Sequence, residues 1–342
     1  MGLEEILKSF QSDIAAGRDI HILRHYSAFV VVSDGRVIHV TDPDMRYCPL
    51  ADILYPGFRN IDGSDLNAIK TQIKETIEAK IQKYGQFTSR RQIVDSKISI
   101  PYGASEMMMS ALRKGAVDAA VVVCDGVGTV ITDNPEVVQG IGSRMNGLFF
   151  TSPIKEIRIK LAGHHCHFIS EQGHINQVEG IKQAVHWGYK RIAVMVNGFK
   201  GENLGEIRKM ETRHKITVCI FAICTTGVGQ ERIDEIKSHG DLVWSCGSRE
   251  IREQIGKDAI MQLSRAIPVF ILTGRGLDVA KAYFGAPNIL NHFKKDEQLL
   301  VCDDCPGEKV KAGDFYTRIC RAKLPACGKR GPIFQEEGFV CR

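Results

Sequence analysis

The apolar residues of this chain follow two rhythms. Within the first 60 positions they form short β-like runs. Phe29-Val30-Val31-Val32 and Arg36-Val37-Ile38-His39-Val40 flank Ser33-Asp34-Gly35, and Asp-Gly between apolar runs predicts a hairpin. Leu66, Ile69, Ile73, Ile77 and Ile81 then recur at steps of three and four, up to Gly85; this is one face of a long helix with a glycine stop. A second helix is expected over Ala104–Lys114, with Met107, Met108, Ala111 and Leu112 facing inward. Its three consecutive methionines read as helical core, because an unbranched thioether fills irregular gaps.

From about Asp118 the rhythm changes. Ala119-Ala120-Val121-Val122-Val123 is a continuous run suited to a strand covered on both faces. Further strands are expected at His167–Ile169, Arg191–Val196, Ile216–Ile223, Asp241–Ser245 and Pro268–Leu272. Helices are expected between them, near Val178–Trp187, Leu204–His214, Arg232–Ser238 and Ile251–Arg265, with Asn176 and Glu179 as a starting cap. Strand and helix in alternation predict an α/β fold with a mostly parallel, doubly wound sheet in the C-terminal half. The expected organisation is an N-terminal α+β part with a hairpin over 1–115, an α/β ligand-crevice domain over 116–290, and a Cys-rich tail over 291–342.

Composition adds little to this picture until the cysteines. The 342 residues are 44% hydrophobic and 25% charged, with a net charge of +5, which is ordinary globular composition. The small, dispersed positive excess does not predict nucleic-acid binding. The acidic start Met1-Gly2-Leu3-Glu4-Glu5 is unlike a secretory signal, and no apolar run is long enough for a membrane span. The expected location is cytoplasmic, with no membrane partner. There are eleven cysteines, and a reducing compartment leaves metal ligation, redox chemistry or burial to account for them.

Ligands of parallel sheets bind beyond the carboxyl ends of the strands. Here those ends carry Cys124, Asp125, Gly126, Gly128 and Thr129 on one strand, and Asn197 on another. Cys224, Thr225 and Thr226 follow a third strand, and Cys246 and Ser248 a fourth. Glycine lets a ligand approach the backbone, and the hydroxyls and amide offer hydrogen bonds to a polar or anionic group. The chain has neither a complete dinucleotide fingerprint nor a phosphate-binding P-loop. His164-His165-Cys166-His167 lacks the spaced second pair of a closed zinc site and reads as a polar loop-to-strand junction. The tail is a better metal candidate. Cys302 and Cys305 form a Cys-x2-Cys knuckle followed by proline, and Cys320 and Cys327 come later. This spacing favours an iron–sulfur cluster over zinc, with Cys341 in reserve.

Several segments in order carry a family likeness. They are Arg46-Tyr47-Cys48-Pro49, Tyr102-Gly103-Ala104-Ser105-Glu106, Cys124 to Thr132, Val138 to Gly142, Thr151-Ser152-Pro153-Ile154, Ile175 to Gly180, and Thr225-Thr226-Gly227. Over positions 25–285 the chain resembles the methanogenesis marker protein 8 family of methane-producing archaea. The resemblance implies a role beside methyl-coenzyme M chemistry in anaerobic one-carbon metabolism, but it carries over no catalytic residues and does not reach the tail. The leading expectation is an accessory protein that binds an iron–sulfur cluster and assists maturation of an oxygen-sensitive enzyme, its partner being that enzyme or its maturation machinery. The alternatives are an enzyme acting on a small anionic or thiol-containing metabolite, and a non-catalytic interaction module. A homo-oligomer is compatible with all three.

Overall fold

The computed structural model of the chain describes residues 2–48, 55–284, 297–327 and 333–334. Two short helices, α1 (Leu3–Ser9) and α2 (Gln11–Ala15), lead into β1 (His21–His25), β2 (Ala28–Ser33), β3 (Arg36–Val40) and β4 (Met45–Tyr47). The β2–β3 hairpin turns at Asp34 and Gly35, both with positive φ (48° and 68°), as a tight two-residue turn requires. Behind this sheet lies α3 (Leu66–Tyr84). Its Ile69, Ile73, Ile77 and Ile81 stripe packs on Leu23, Val30, Val32 and Val37, and the helix ends at Gly85 in the left-handed region. The methionines of α4 (Ala104–Arg113) are all buried, which is the core role expected for them.

The α/β class expected from the sequence is the class the chain adopts. After β5 (Ala119–Cys124) and β6 (Gly128–Thr132) come α5 (Pro135–Gly142), β7 (Gly147–Thr151), α6 (Lys155–Ala162), β8 (His167–Phe168) and α7 (Gln177–His186). The alternating stretch is β9 (Arg191–Asn197), α8 (Leu204–His214), β10 (Thr217–Ile223), α9 (Gln230–His239) and β11 (Leu242–Trp244). It continues through β12 (Met261–Leu263), β13 (Val269–Ile271) and α10 (Gly274–Phe284). In the tail, β14 (Leu299–Cys302), β15 (Glu308–Ala312) and β16 (Phe315–Arg321) follow, and β17 (Ile333–Phe334) pairs with β4.

Two larger sheets result. The first has the order β3-β2-β1-β7; the second has eleven strands in the order β15-β16-β14-β12-β13-β11-β10-β9-β5-β6-β8. The second sheet is parallel at its centre, across β5, β9, β10 and β11, and largely antiparallel on both flanks. Its central strands are covered on both faces. Met195 and Phe221 enter one core, while Val194 and Ile220 enter the other, which explains why these strands are apolar without alternation.

One expected helix does not form. Over 251–265 there is a single wide turn, Ile251–Ile255, then a 3-10 turn, Gly256–Asp258, and then strand β12. Gly256 lies where a Cβ would stand 2.6 Å from the Phe270 ring. Gln262 bonds the Ala326 backbone in both directions, at 2.6 and 2.8 Å. A long-range pairing therefore overrides the local helical pattern. Among the described residues no helix is long and apolar enough to cross a membrane.

Candidate functional site

The carboxyl ends of β9, β10 and β11 lie side by side because these strands run parallel. Two cysteines there, Cys224 after β10 and Cys246 after β11, adopt left-handed backbone conformations (φ 57° and 44°). Each costs about 1–2 kcal/mol for an L-residue with a Cβ. Surrounding bonds hold them in place. Thr225 donates its hydroxyl to the Trp244 carbonyl at 2.6 Å, Gly247 N–H donates to Thr226 Oγ1 at 3.1 Å, and Arg252 donates to the Cys246 carbonyl at 2.6 Å. The Cys224 and Thr225 backbone N–H groups face the Cys246 sulfur. Ser248 is buried, donating to Glu250 at 2.9 Å and accepting from Ile251 N–H at 3.2 Å. Asn197 caps the turn after β9 by accepting from Phe199 N–H at 3.0 Å.

The first sheet closes over these strand ends. From β1, Arg24 donates to the Thr226 carbonyl at 2.5 Å and to the Ser27 carbonyl at 3.1 Å. Its guanidinium lies 3.9 Å from the Phe199 ring centroid. It feels Asp44, Cys224 and Cys246 electrostatically but makes no ion pair among the described residues. From β7, Gly147 comes so close that a Cβ there would stand 2.9 Å from Asn197 Nδ2 and 3.4 Å from Cys224 Sγ. Burial pushes the Cys224 thiol up to about 12, with Cys246 adding to the shift and Arg24 opposing it. Burial also raises Cys246, against the neighbouring N–H groups and Arg252. Both thiols are therefore protonated at neutral pH, and both are half-buried.

The other expected ligand residues occupy a different place. Cys124, Asp125, Gly126, Gly128 and Thr129 form the antiparallel β5–β6 hairpin and its turn. Asp125 is fully buried and accepts from Arg91 Nε at 2.8 Å and Phe87 N–H at 2.6 Å. Gly126 N–H donates to Thr151 Oγ1 at 2.7 Å, and a Cβ on Gly128 would stand 2.2 Å from the His174 carbonyl oxygen. Thr129 Oγ1 accepts from Asn176 N–H at 2.8 Å. Burial pushes the Cys124 thiol well up. The polar groups of this turn are thus engaged by the protein itself.

Two features escaped the sequence reading. Arg24 shows no local motif, since its partner Thr226 is 202 positions away. The chain Asp19–His21–Thr151 has the order of a catalytic triad, with 2.9 Å from His21 Nε2 to Asp19 and 2.6 Å from Nδ1 to Thr151. Thr151 is buried and its hydroxyl already accepts from Gly126 N–H, so this chain fastens β1 to the β5–β6 turn. A separate surface cavity of about 380 Å³, lined by Phe149, Phe150, His174, Asn176 and Glu179 among others, contains none of the strand-end residues.

The tail thiols come partly together. Cys302 ends β14, where Arg265 Nε donates to its sulfur at 3.4 Å and pairs with Asp304 at 3.2 Å. Cys305 and Cys320 meet at Leu300, the Cys305 sulfur lying 3.9 Å from its carbonyl oxygen and Cys320 standing opposite it in the sheet. Burial raises Cys302 to about 12 against Arg265, and Cys320 to about 11 with Cys305 adding to the shift. Cys327 is half-buried on the segment after β16, and Cys341 lies outside the described residues. Among the described residues no three His, Cys, Asp or Glu side chains are grouped so as to hold a metal ion. This holds for the tail thiols and for the His164–His167 cluster, where His167 instead stacks on Trp187 at 3.8 Å. As arranged here, the described thiols do not fit the four-sulfur set of an iron–sulfur cluster or a structural zinc.

A family model described as an uncharacterized protein conserved in archaea (DUF2099) matches residues 21–282. The curated "Uncharacterized protein MJ0054" of Methanocaldococcus jannaschii is 38% identical over 264 residues, which is 76% of this chain and 89% of that protein. The span matched by the family model includes Arg24, Gly147, Asn197, Cys224 and Cys246, whereas Cys302, Cys305, Cys320 and Cys327 lie beyond it. The chain belongs to this archaeal family.

Proposed function

We propose that the family segment binds a small anionic metabolite, thiol-bearing or thiol-reactive, at the carboxyl ends of β9, β10 and β11. The observation that carries this reading is Arg24, a half-buried guanidinium bonded to carbonyl oxygens and facing two cysteines, with no carboxylate in ion-pair contact among the described residues. The exposed carboxylate of Asp44 acts on this guanidinium only from outside ion-pair contact; a partly desolvated cation so weakly compensated is costly, and a bound anion offsets that cost. Asn197 and Thr226 add polar contacts beside it. Cys224 and Cys246, neutral at rest, serve first as hydrogen-bond donors; either acts as a nucleophile only after losing its proton.

The resemblance to the methanogenesis marker protein 8 family supports placing this site in the anaerobic one-carbon metabolism of the cytoplasm. The protein there is an accessory that serves an oxygen-sensitive enzyme by holding or handing on the anion. Titration calorimetry of the anaerobically purified chain with 2-mercaptoethanesulfonate, acetate and inorganic phosphate tests the reading. At least one anion should bind, and Arg24→Gln should weaken it by about tenfold or more, which corresponds to about 1.4 kcal/mol. Binding of none of the three, or binding indifferent to Arg24→Gln, would overturn it.

A further inference from the structure

The tail presents a second thiol chemistry, separate from the strand-end site and beyond the family segment. In the antiparallel β14–β16 pair, Cys320 stands opposite Leu300. The turn after β14 folds back over this pair and brings the Cys305 sulfur to 3.9 Å from the Leu300 carbonyl. Gly307 permits the fold-back, since a Cβ there would stand 1.6 Å from the Ile319 carbonyl oxygen and 2.8 Å from Cys320 Cβ. Cys305 and Cys320 thereby share the Leu300 position of the sheet, in one apolar cluster with its side chain. Cys302 is engaged differently, with its sulfur on Arg265. Cys305 is 2% exposed, whereas Cys320 is half-buried, so a reagent from solvent meets Cys320 first.

We propose that Cys305 and Cys320 are a redox-modifiable pair, joined as a reversible disulfide by exchange with a low-molecular-weight disulfide, RSSR. Cys320 loses its proton to solvent, and its thiolate attacks one sulfur of RSSR. The S–S bond breaks, RS⁻ leaves and is protonated to RSH, and a mixed disulfide Cys320–S–S–R remains. Cys305 then loses its proton and attacks Cys320 Sγ, releasing the second RS⁻, which is protonated in turn. Two protein thiols are oxidised by two electrons, and RSSR is reduced to two RSH. The Arg265 guanidinium, beside Cys302 and ion-paired with Asp304, places positive charge next to the thiolates that form.

Peptide mapping by mass spectrometry tests this on the full chain, purified anaerobically, treated with 2-hydroxyethyl disulfide, acid-quenched and alkylated. The expected product is a Cys305–Cys320 cross-link, two hydrogens lighter than the reduced peptides and reversed by dithiothreitol. Cys305→Ser should instead accumulate the mixed disulfide at Cys320, and Cys302→Ser should still form the cross-link. A wild-type chain that stops at the mixed disulfide, or that cross-links Cys302 or Cys327 instead, would overturn the proposal. So would thiols that stay unreactive until a chelator strips stoichiometric iron or zinc from the chain. None of these outcomes bears on anion binding at Arg24.

Discussion

Asp125 has the chemistry of a ligand-binding carboxylate and the surroundings of a structural one. The partner that decides this, Arg91, stands 34 positions earlier and is only 2% exposed, a proximity no local spacing reveals. Arg91 also donates to the carbonyls of Gln92, Gly140 and Ile141 at 2.6, 3.2 and 3.0 Å. Removing one member of such a pair strands the other charge, so Asp125→Asn should destabilise the fold by about 3–5 kcal/mol in urea titration. A loss below about 1 kcal/mol would show that Arg91 is satisfied by the carbonyls alone. His25 was equally silent in the sequence. Asn146 Oδ1 accepts from Lys80 Nζ at 2.7 Å, so its amide nitrogen donates to His25 Nδ1 at 2.8 Å, and the imidazole proton sits on Nε2. Burial, and secondarily the Lys80 charge, hold His25 well below its ordinary 6.5. As pH falls through 6.5 the unfolded chain therefore takes up a proton that the folded chain refuses, and stability declines at up to about 1.4 kcal/mol per pH unit. The His25→Gln variant should show a shallower acid limb between pH 6.5 and about 5 in denaturation series; an unchanged slope would refute the assignment.

At the scale of elements, helix faces, caps and tight turns with their own signals are legible, whereas strand pairing without such a signal, near or distant, is not. The α3 stripe, its glycine stop, the Asp34-Gly35 hairpin and the Asn176 cap are all local, and all are present. The β5–β6 hairpin reads as one strand followed by a ligand loop, because Cys124 to Thr129 looks alike in either role. β12 reads as helix from its local pattern, because its partners other than β13, namely β14 and Ala326, stand far along the chain from it. The helix stops separate conformational from steric cost. Gly85 and Gly115 both have φ +67°. A Cβ at Gly115 meets open space, whereas at Gly85 it would stand 2.4 Å from the Arg90 carbonyl and 2.7 Å from Arg91 N. Gly115→Ala should therefore cost about 1 kcal/mol, the left-handed term alone. Gly85→Ala should cost clearly more, since the displaced atoms are backbone and carry Arg91 towards Asp125. Equal losses in thermal denaturation would mean that the 85–91 loop shifts freely.

For the whole molecule, α/β class was readable from alternating strands and helices, but the seam between the two sheets was not. The first sheet takes its fourth strand, β7, from beyond β6, and pairs Arg24 of β1 with Gly147 of β7. That single pairing sets the guanidinium and the bare glycine backbone together over the strand ends that hold Asn197, Cys224 and Cys246. Half of the proposed site was therefore visible as strand-end residues. The charge that gives it a ligand class comes from a segment that looked like hairpin scaffold. Because Gly147 does not have positive φ, a larger side chain there is a test of space rather than of backbone conformation. Gly147→Val would project towards Asn197 Nδ2 and Cys224 Sγ and fill the seam between the sheets. The folded variant should show slower alkylation of Cys224 by iodoacetamide at alkaline pH, with Cys320 unchanged as internal control, and weaker binding of whichever anion Arg24 holds. Shielding of Cys224 without loss of the anion would separate the thiol from the charge and place the ligand on the Thr226 side of Arg24. If neither changes in a folded Gly147→Val chain, the seam is not the way in, and the guanidinium is reached from the exposed Gly227 turn, where a Cβ would stand 3.2 Å from Arg24 Nη2.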